Sequence, residues 1–163
     1  MEITLGIRTA GTAAIYFEKT DNEAIRAVLP QKARTVEEAV ADFHASQRPG
    51  ASSFGRTILA DGAYVGDVWC YCIDPDGTPS AMVSYCVFEP EYRGQGAASE
   101  ALALFLREAA RRYGLKTVGA FTFSHNRPSI RVLEKNGFRL MEEFTEDGVP
   151  SQYFQLSLEQ EKA

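Results

Sequence analysis

The chain has 163 residues, enough for one well-cored domain and short for two, because domains most often run about 100 to 150 residues. Hydrophobic residues at 45% and charged residues at 24% are the proportions of an ordinary globular protein, so a disordered or fibrous chain is excluded, and no apolar run approaches the ~20 residues of a membrane-spanning helix. Seventeen Lys and Arg against 22 Asp and Glu give a formal charge of −5, which argues against a broad nucleic-acid footprint and suits cationic partners better.

The start, Met1-Glu2-Ile3-Thr4-Leu5-Gly6, lacks a basic region followed by an apolar stretch, so a cytoplasmic location without membrane contact is expected. No internal repeat or linker-like tract divides the chain, which reads as one domain over residues 1–163. Cys70, Cys72 and Cys86 cannot all pair, and one intervening residue between Cys70 and Cys72 is too tight for a metal knuckle. They read as reduced thiols acting as small buried hydrophobes. With His44 and His125 the only histidines, no metal site is expected.

In chain order, a poorly patterned opening gives way at Thr35 to a helix through about Ser46. Thr35 can cap it, Glu38 completes a capping box, and Val36, Ala39, Val40 and Phe43 recur at helical spacing. Arg56–Ala60 and Ala63–Ile73 flank Asp61-Gly62 as a hairpin, and a turn at Asp74–Gly77 leads to a strand over Ser80–Phe88. Three consecutive antiparallel strands are predicted. Ala98, Ala101, Leu102, Phe105, Leu106, Ala109 and Tyr113 then form one apolar helical stripe that stops at Gly114. Lys116–Phe123 reads as a strand reached through that helix, which favours a parallel or mixed pairing. Pro128 opens a short helix to about Lys135 with Gly137 just beyond it, and Phe138–Thr145 and Ser151–Leu158 close the chain as a hairpin.

The stretch Tyr92-Arg93-Gly94-Gln95-Gly96-Ala97-Ala98-Ser99 joins the Ser80–Phe88 strand to the long helix. Its small residues let a ligand approach the main chain, and unpaired amides at a helix start favour an anion such as a diphosphate. Arg93 can add a charge-assisted contact. A Walker loop would need Gly-Lys followed by Ser or Thr, and a dinucleotide fingerprint would need a glycine where Ser99 stands and a carboxylate about 20 residues on. Neither occurs.

Arg93-x-x-Gly96-x-Ala98 resembles the pyrophosphate loop of the GCN5-related N-acetyltransferase (GNAT) superfamily. The run Asn126-Arg127-Pro128-Ser129-Ile130-Arg131-Val132-Leu133-Glu134-Lys135-Asn136-Gly137-Phe138 resembles the second signature of that family, in the version most similar to ribosomal-protein N-terminal acetyltransferases. The resemblance runs from about Val65 to Leu158 and is weak over the first fifty residues. It implies an α/β (α+β) fold with a mixed, mostly antiparallel sheet flanked by helices and splayed near its middle. It implies acetyl-coenzyme A as co-substrate, without metal, and a small-molecule or peptide amine as acceptor; a homodimer is compatible with it.

On that basis the diphosphate falls to Arg93, Gly94, Gln95, Gly96, Ala97, Ala98 and Ser99. The pantetheine arm falls to the main chain of Cys86, Val87 and Phe88, and Asn126 and Ser129 complete the donor site. The tyrosine that many members use to protonate the leaving thiolate is replaced here by Leu133, which makes Ser129 the candidate acid. Strand residues 81–88 hold no carboxylate, so the base is open among Tyr85, Ser84, Asp67 on the preceding strand, a water chain, Glu89 and His125. Tyr85, Glu89 and Ser129 are the catalytic candidates. The acidic residues Glu142, Glu143, Glu146 and Asp147 are candidates for attracting a cationic acceptor. A cofactor-binding module without transfer activity is the alternative function.

Overall fold

The computed structural model describes residues 1–158, so residues 159–163 of the expected 1–163 domain lie outside the described residues. The opening segment holds more order than its pattern predicts: strand β1 (Ile3–Ile7), helix α1 (Ala10–Thr20) and the one-turn helix α2 (Glu23–Arg26). Two threonines cap α1 reciprocally, the Thr12 amide donating to the Thr9 hydroxyl and the Thr9 amide to the Thr12 hydroxyl. The Asn22 side chain caps α2 by accepting from the Ile25 amide. Helix α3 (Val36–Ser46) starts at Thr35 as expected, but Glu38 reaches one residue past the usual capping-box partner, to the Arg34 amide at 2.7 Å.

Asp61 and Gly62 take positive φ angles of +49° and +84°, folding strand β2 (Phe54–Ala60) back on β3 (Ala63–Asp74). Strand β4 (Ser80–Val87) pairs antiparallel with β3, so the three predicted strands are present. One expectation about the thiols needs correction. Cys70 is buried in the core, but Cys72 is exposed, because the register slips between Tyr71 and Asp74 and Cys72 takes a φ of +51° there.

Helix α4 (Ala97–Tyr113) buries Ala97, Ala101, Leu102, Phe105, Leu106 and Ala109 against the sheet and ends at Gly114, whose φ is +64°. Strand β5 (Thr117–Phe123), helix α5 (Arg127–Lys135), and strands β6 (Arg139–Glu146) and β7 (Val149–Ser157) follow. The sheet order is β1-β2-β3-β4-β5-β7-β6, with β7 inserted between β5 and β6. Every pairing is antiparallel except β4 with β5, which are parallel over Ser80/Thr117, Ala81/Val118 and Met82/Gly119 and then part. That parting puts a cleft in the middle of the sheet.

Candidate functional site

Which main-chain groups of β4 face the cleft follows from its register. The Phe88 amide donates to Val65 of β3, while the Pro79 carbonyl accepts from Lys116 and Thr117 on the β5 side. Main-chain direction alternates along a strand, so even-numbered residues of β4 turn to β3 and odd-numbered ones turn to β5. Past Met82 there is no β5 to pair with. Val83, Tyr85 and Val87 therefore turn main-chain groups to the gap, among which the Val87 carbonyl already accepts from Arg93. Of the three residues expected there, Val87 alone presents its main chain, whereas those of Cys86 and Phe88 face β3. Gly66 permits the close approach of β3, since a Cβ there would collide with the Cys86 carbonyl and the Val87 Cα.

The cleft has a volume of about 1020 Å³ and continues from this edge to the glycine-rich loop. Gly94 and Gly96 hold φ angles of +74° and +85°, and nothing stands within 4 Å of where a Cβ would be on either. Gly96 is the N-cap of α4, so the first amides of that helix have no side-chain cap and point at the cleft. Arg93 spends two donors on the strand end: its Nε bonds the Val87 carbonyl at 3.0 Å and its Nη2 the Phe88 carbonyl at 3.4 Å. It thereby ties the loop to β4 while still lining the cleft. Gln95 turns back to the Glu91 carbonyl, and Ser99 accepts from Asn136, the C-cap of α5, which fixes the two helices to each other.

The far wall is α5. Asn126 caps it by accepting from the Ser129 amide, and His125 stacks on Phe123 with a centroid separation of 5.5 Å. Leu133 is buried in the core, away from the cleft. In the space above it, Tyr85 reaches across from β4 so that its hydroxyl lies 3.0 Å from Ser129 Oγ and 3.1 Å from the Ser129 carbonyl. Burial pushes the Tyr85 hydroxyl well above its ordinary range, outweighing the opposing hydrogen bond from Ser129, so it keeps its proton at neutral pH. Tyr85 and Ser129 are thus brought together. Glu89 is not with them: it pairs with Lys19 of α1 at 2.9 Å.

Asp67 sits on β3 directly opposite Cys86, where Arg8 Nε donates to it at 2.9 Å and the Tyr64 hydroxyl at 2.6 Å. Burial pushes its carboxyl up to about 6, although Arg8 and Tyr64 both favour the ionised form. A carboxyl raised above its unfolded value of 3.8 contributes stability that is complete below that value and is lost as pH rises through about 6. Asp67→Asn cannot ionise. It should gain on the wild type by roughly 2 kcal/mol between pH 4 and pH 7.5, from a shift of about two pKa units that begins just below that window. Urea unfolding of both proteins at each pH measures this, and a stability difference that is constant with pH would exclude it.

The main-chain parity of β4 and the Tyr85–Ser129 pair are the parts of the site that sequence reading missed or left unjoined. A signal for the parity was present in the alternation Ala81, Val83, Tyr85, Val87, but the pairing partner on each side was needed to read it. Among the described residues no group of His, Cys, Asp and Glu is arranged to hold a metal ion, and no helix is long and apolar enough to cross a membrane.

A strand edge opened by splaying, continuous with bare amides at a glycine-opened helix start, fits a protein that takes an extended ligand ending in a diphosphate. The model of the acetyltransferase (GNAT) domain family matches residues 6–139, and the chain belongs to this family of acetyl-coenzyme A-dependent enzymes. Solved structures agree in fold. Spermidine N-acetyltransferase from Vibrio cholerae, in complex with coenzyme A and spermine, superposes with a TM-score of 0.84 at 15% identity, covering 95% of both chains. RimJ of Mycobacterium smegmatis, in complex with coenzyme A-disulfide, gives 0.82 at 21% identity over 96% of this chain and 82% of its own. The aminoglycoside acetyltransferase AAC(6')-Ib, in complex with coenzyme A, gives 0.80 at 15% identity over 96% of this chain and 95% of its own. No curated protein matches the sequence.

Proposed function

We propose that the protein moves an acetyl group from acetyl-coenzyme A to a primary amine within the β4–β5 cleft. The observation that carries this reading is the continuity of the gap-facing Val83, Tyr85 and Val87 edge with the amides of the Gly94–Ser99 loop. That edge is matched to the amides of a pantetheine arm and that loop to a diphosphate. This local attraction lets a chain of net charge −5 hold a polyanion.

When bound, acetyl-coenzyme A supplies a thioester carbonyl and a thiolate leaving group. The Val87 amide, directed into the gap, stabilises the oxyanion that forms on attack. The amine nitrogen bonds to the acetyl carbon, the carbon–sulfur bond breaks, and the surplus amine proton passes to solvent. Ser129 gives its hydroxyl proton to the departing sulfur and takes one from the Tyr85 hydroxyl, and Tyr85 regains a proton from the solvent that received the amine's, so both hydroxyls end as they began. Tyr85 on β4 thereby takes up the work of the tyrosine missing at Leu133. Glu89, held by Lys19, has no part in this step. Cys86 lines the cleft, and Asn126 fixes the start of α5.

Titrating acetyl-coenzyme A while following thermal unfolding tests the reading. At a hundredfold excess over Kd the protein should be stabilised by about 2.7 kcal/mol, and no shift defeats the proposal. Binding without thiol release from any amine would favour the module without transfer activity.

A further inference from the structure

The two mouths of the cleft differ in chemistry. On the α4 and α5 side stand the loop amides, Arg93, Arg131 and Lys135, a cationic setting for the phosphates. On the opposite side the lining comes from α2 and the residues after it, chiefly Ile25, Val28 and Leu29, and from Phe121 of β5. Alternation along β5 buries Val118 and Ala120 and turns Phe121 to the other face, where it is 57% exposed. Phe121 is nevertheless held in place: Tyr153 lies 5.1 Å from its ring, and Phe144 meets it edge-to-face at 5.8 Å. Gly119 makes room for this arrangement, because a Cβ there would come within 2.6 Å of the Tyr153 hydroxyl and 2.8 Å of Met82 Sδ. A supported aromatic ring left in solvent in the lining of a cleft that exposed Val28 also lines is a surface suited to an apolar ligand.

Counter-charges for a polycation are missing from the same mouth. Among the described residues lining the cleft, Glu134 is the one carboxylate, and it belongs to α5 on the donor side. Of the acids nearby, Glu89 is paired with Lys19 and Asp21 with Arg26, and Glu23, which opens α2, does not line the cleft. Of the acidic residues in the last hairpin, Glu142 shares the face of Phe121, but Tyr153 stands between them in register, so Glu142 lies two strands from Phe121, about 10 Å away along the sheet. A polycation seated here would surrender water around its second and third charges with nothing in return.

We infer that the acceptor is a primary amine carried on an uncharged apolar body, best an aromatic one, which rests against Phe121 and Val28 while its nitrogen reaches the thioester. The inference rests on the acetyltransferase reading. The amine gains the acetyl group and loses a proton to water, the sulfur leaves as the thiol, and the apolar body takes no part in the chemistry, so discrimination appears mainly in KM. The same chemistry is offered by a free arylalkylamine and by the amino terminus of a peptide that begins with an aromatic residue.

Thiol release is to be followed with acetyl-coenzyme A and, in turn, 2-phenylethylamine, a peptide amide beginning with phenylalanine, spermidine and kanamycin. One of the first two should show a kcat/KM at least about tenfold above both polycations, and whichever leads names the source. Phe121→Ala, at an exposed position that the fold tolerates, should raise KM for that amine about tenfold with acetyl-coenzyme A affinity unchanged. Phe121→Glu should shift preference towards spermidine. The inference is overturned if spermidine or kanamycin is used as well as the apolar amines, if KM is unmoved in Phe121→Ala, or if the protein binds acetyl-coenzyme A and acetylates none of the four. Failure to bind acetyl-coenzyme A at all is a separate outcome, which removes the acetyltransferase reading and this inference with it.

Discussion

Gly96→Asp is expected to weaken acetyl-coenzyme A binding at least about a hundredfold, equivalent to about 2.7 kcal/mol, without unfolding the protein. Gly96 has a φ of +85°, and Asp and Asn are the residues that best tolerate the left-handed region. No atom lies within 4 Å of the new Cβ, so the side chain projects into open cleft. There its carboxylate occupies the positive end of α4, where a diphosphate would sit, and repels it. Gly96→Asn is the matched control: it carries the same backbone cost and nearly the same volume without the charge. Calorimetric titration of both variants separates the effects. Equal affinity in the two would show that charge at this helix start is irrelevant to the ligand.

The second large effect concerns turnover. Tyr85→Phe and Ser129→Ala should each lower kcat by about 10- to 100-fold with acetyl-coenzyme A affinity little changed. General-acid contributions run from about a hundredfold upward, and a thiolate, with a parent pKa of about 8.5, needs the help less than most leaving groups. Because the two hydroxyls lie 3.0 Å apart and act in series, the double variant should lose little beyond the worse single one. Tyr85→Phe retains the buried ring, so the fold should tolerate it. Additive losses would show that the two residues act separately, and an unchanged kcat in both would remove them from the proton path.

The two signatures at Arg93–Ala98 and Asn126–Phe138 made the starts of α4 and α5 legible, because each is a local solution: glycines where the backbone must turn left-handed, a cap where a helix starts. The first thirty residues resisted for the same local reason. Helix α1 opens with a Thr9/Thr12 cap rather than the Thr/Glu pairing that marks a capping box, and α2 is a single turn with no room for a period. Cys72 was misread because a register shift between Tyr71 and Asp74 turns it out to solvent. The contacts that matter most for chemistry were beyond local pattern. Tyr85 meets Ser129 across 44 positions of sequence, and the Phe121, Phe144 and Tyr153 platform is assembled from three strands that pair out of chain order.

The sheet is held at its centre by three residue pairs, Ser80/Thr117, Ala81/Val118 and Met82/Gly119. Strands β1 to β4 and strands β5 to β7 are therefore two ladders that share a short seam, and each ends on an unpaired rim inside the molecule. Such rims on an outer strand invite pairing with other chains. Here they diverge beneath α5 and the glycine loop, where another protein's strand has little access but a thin, strand-like small molecule can enter. A ligand that paired with both rims beyond the seam would join the two ladders, so its binding should stiffen the sheet on both sides of the cleft.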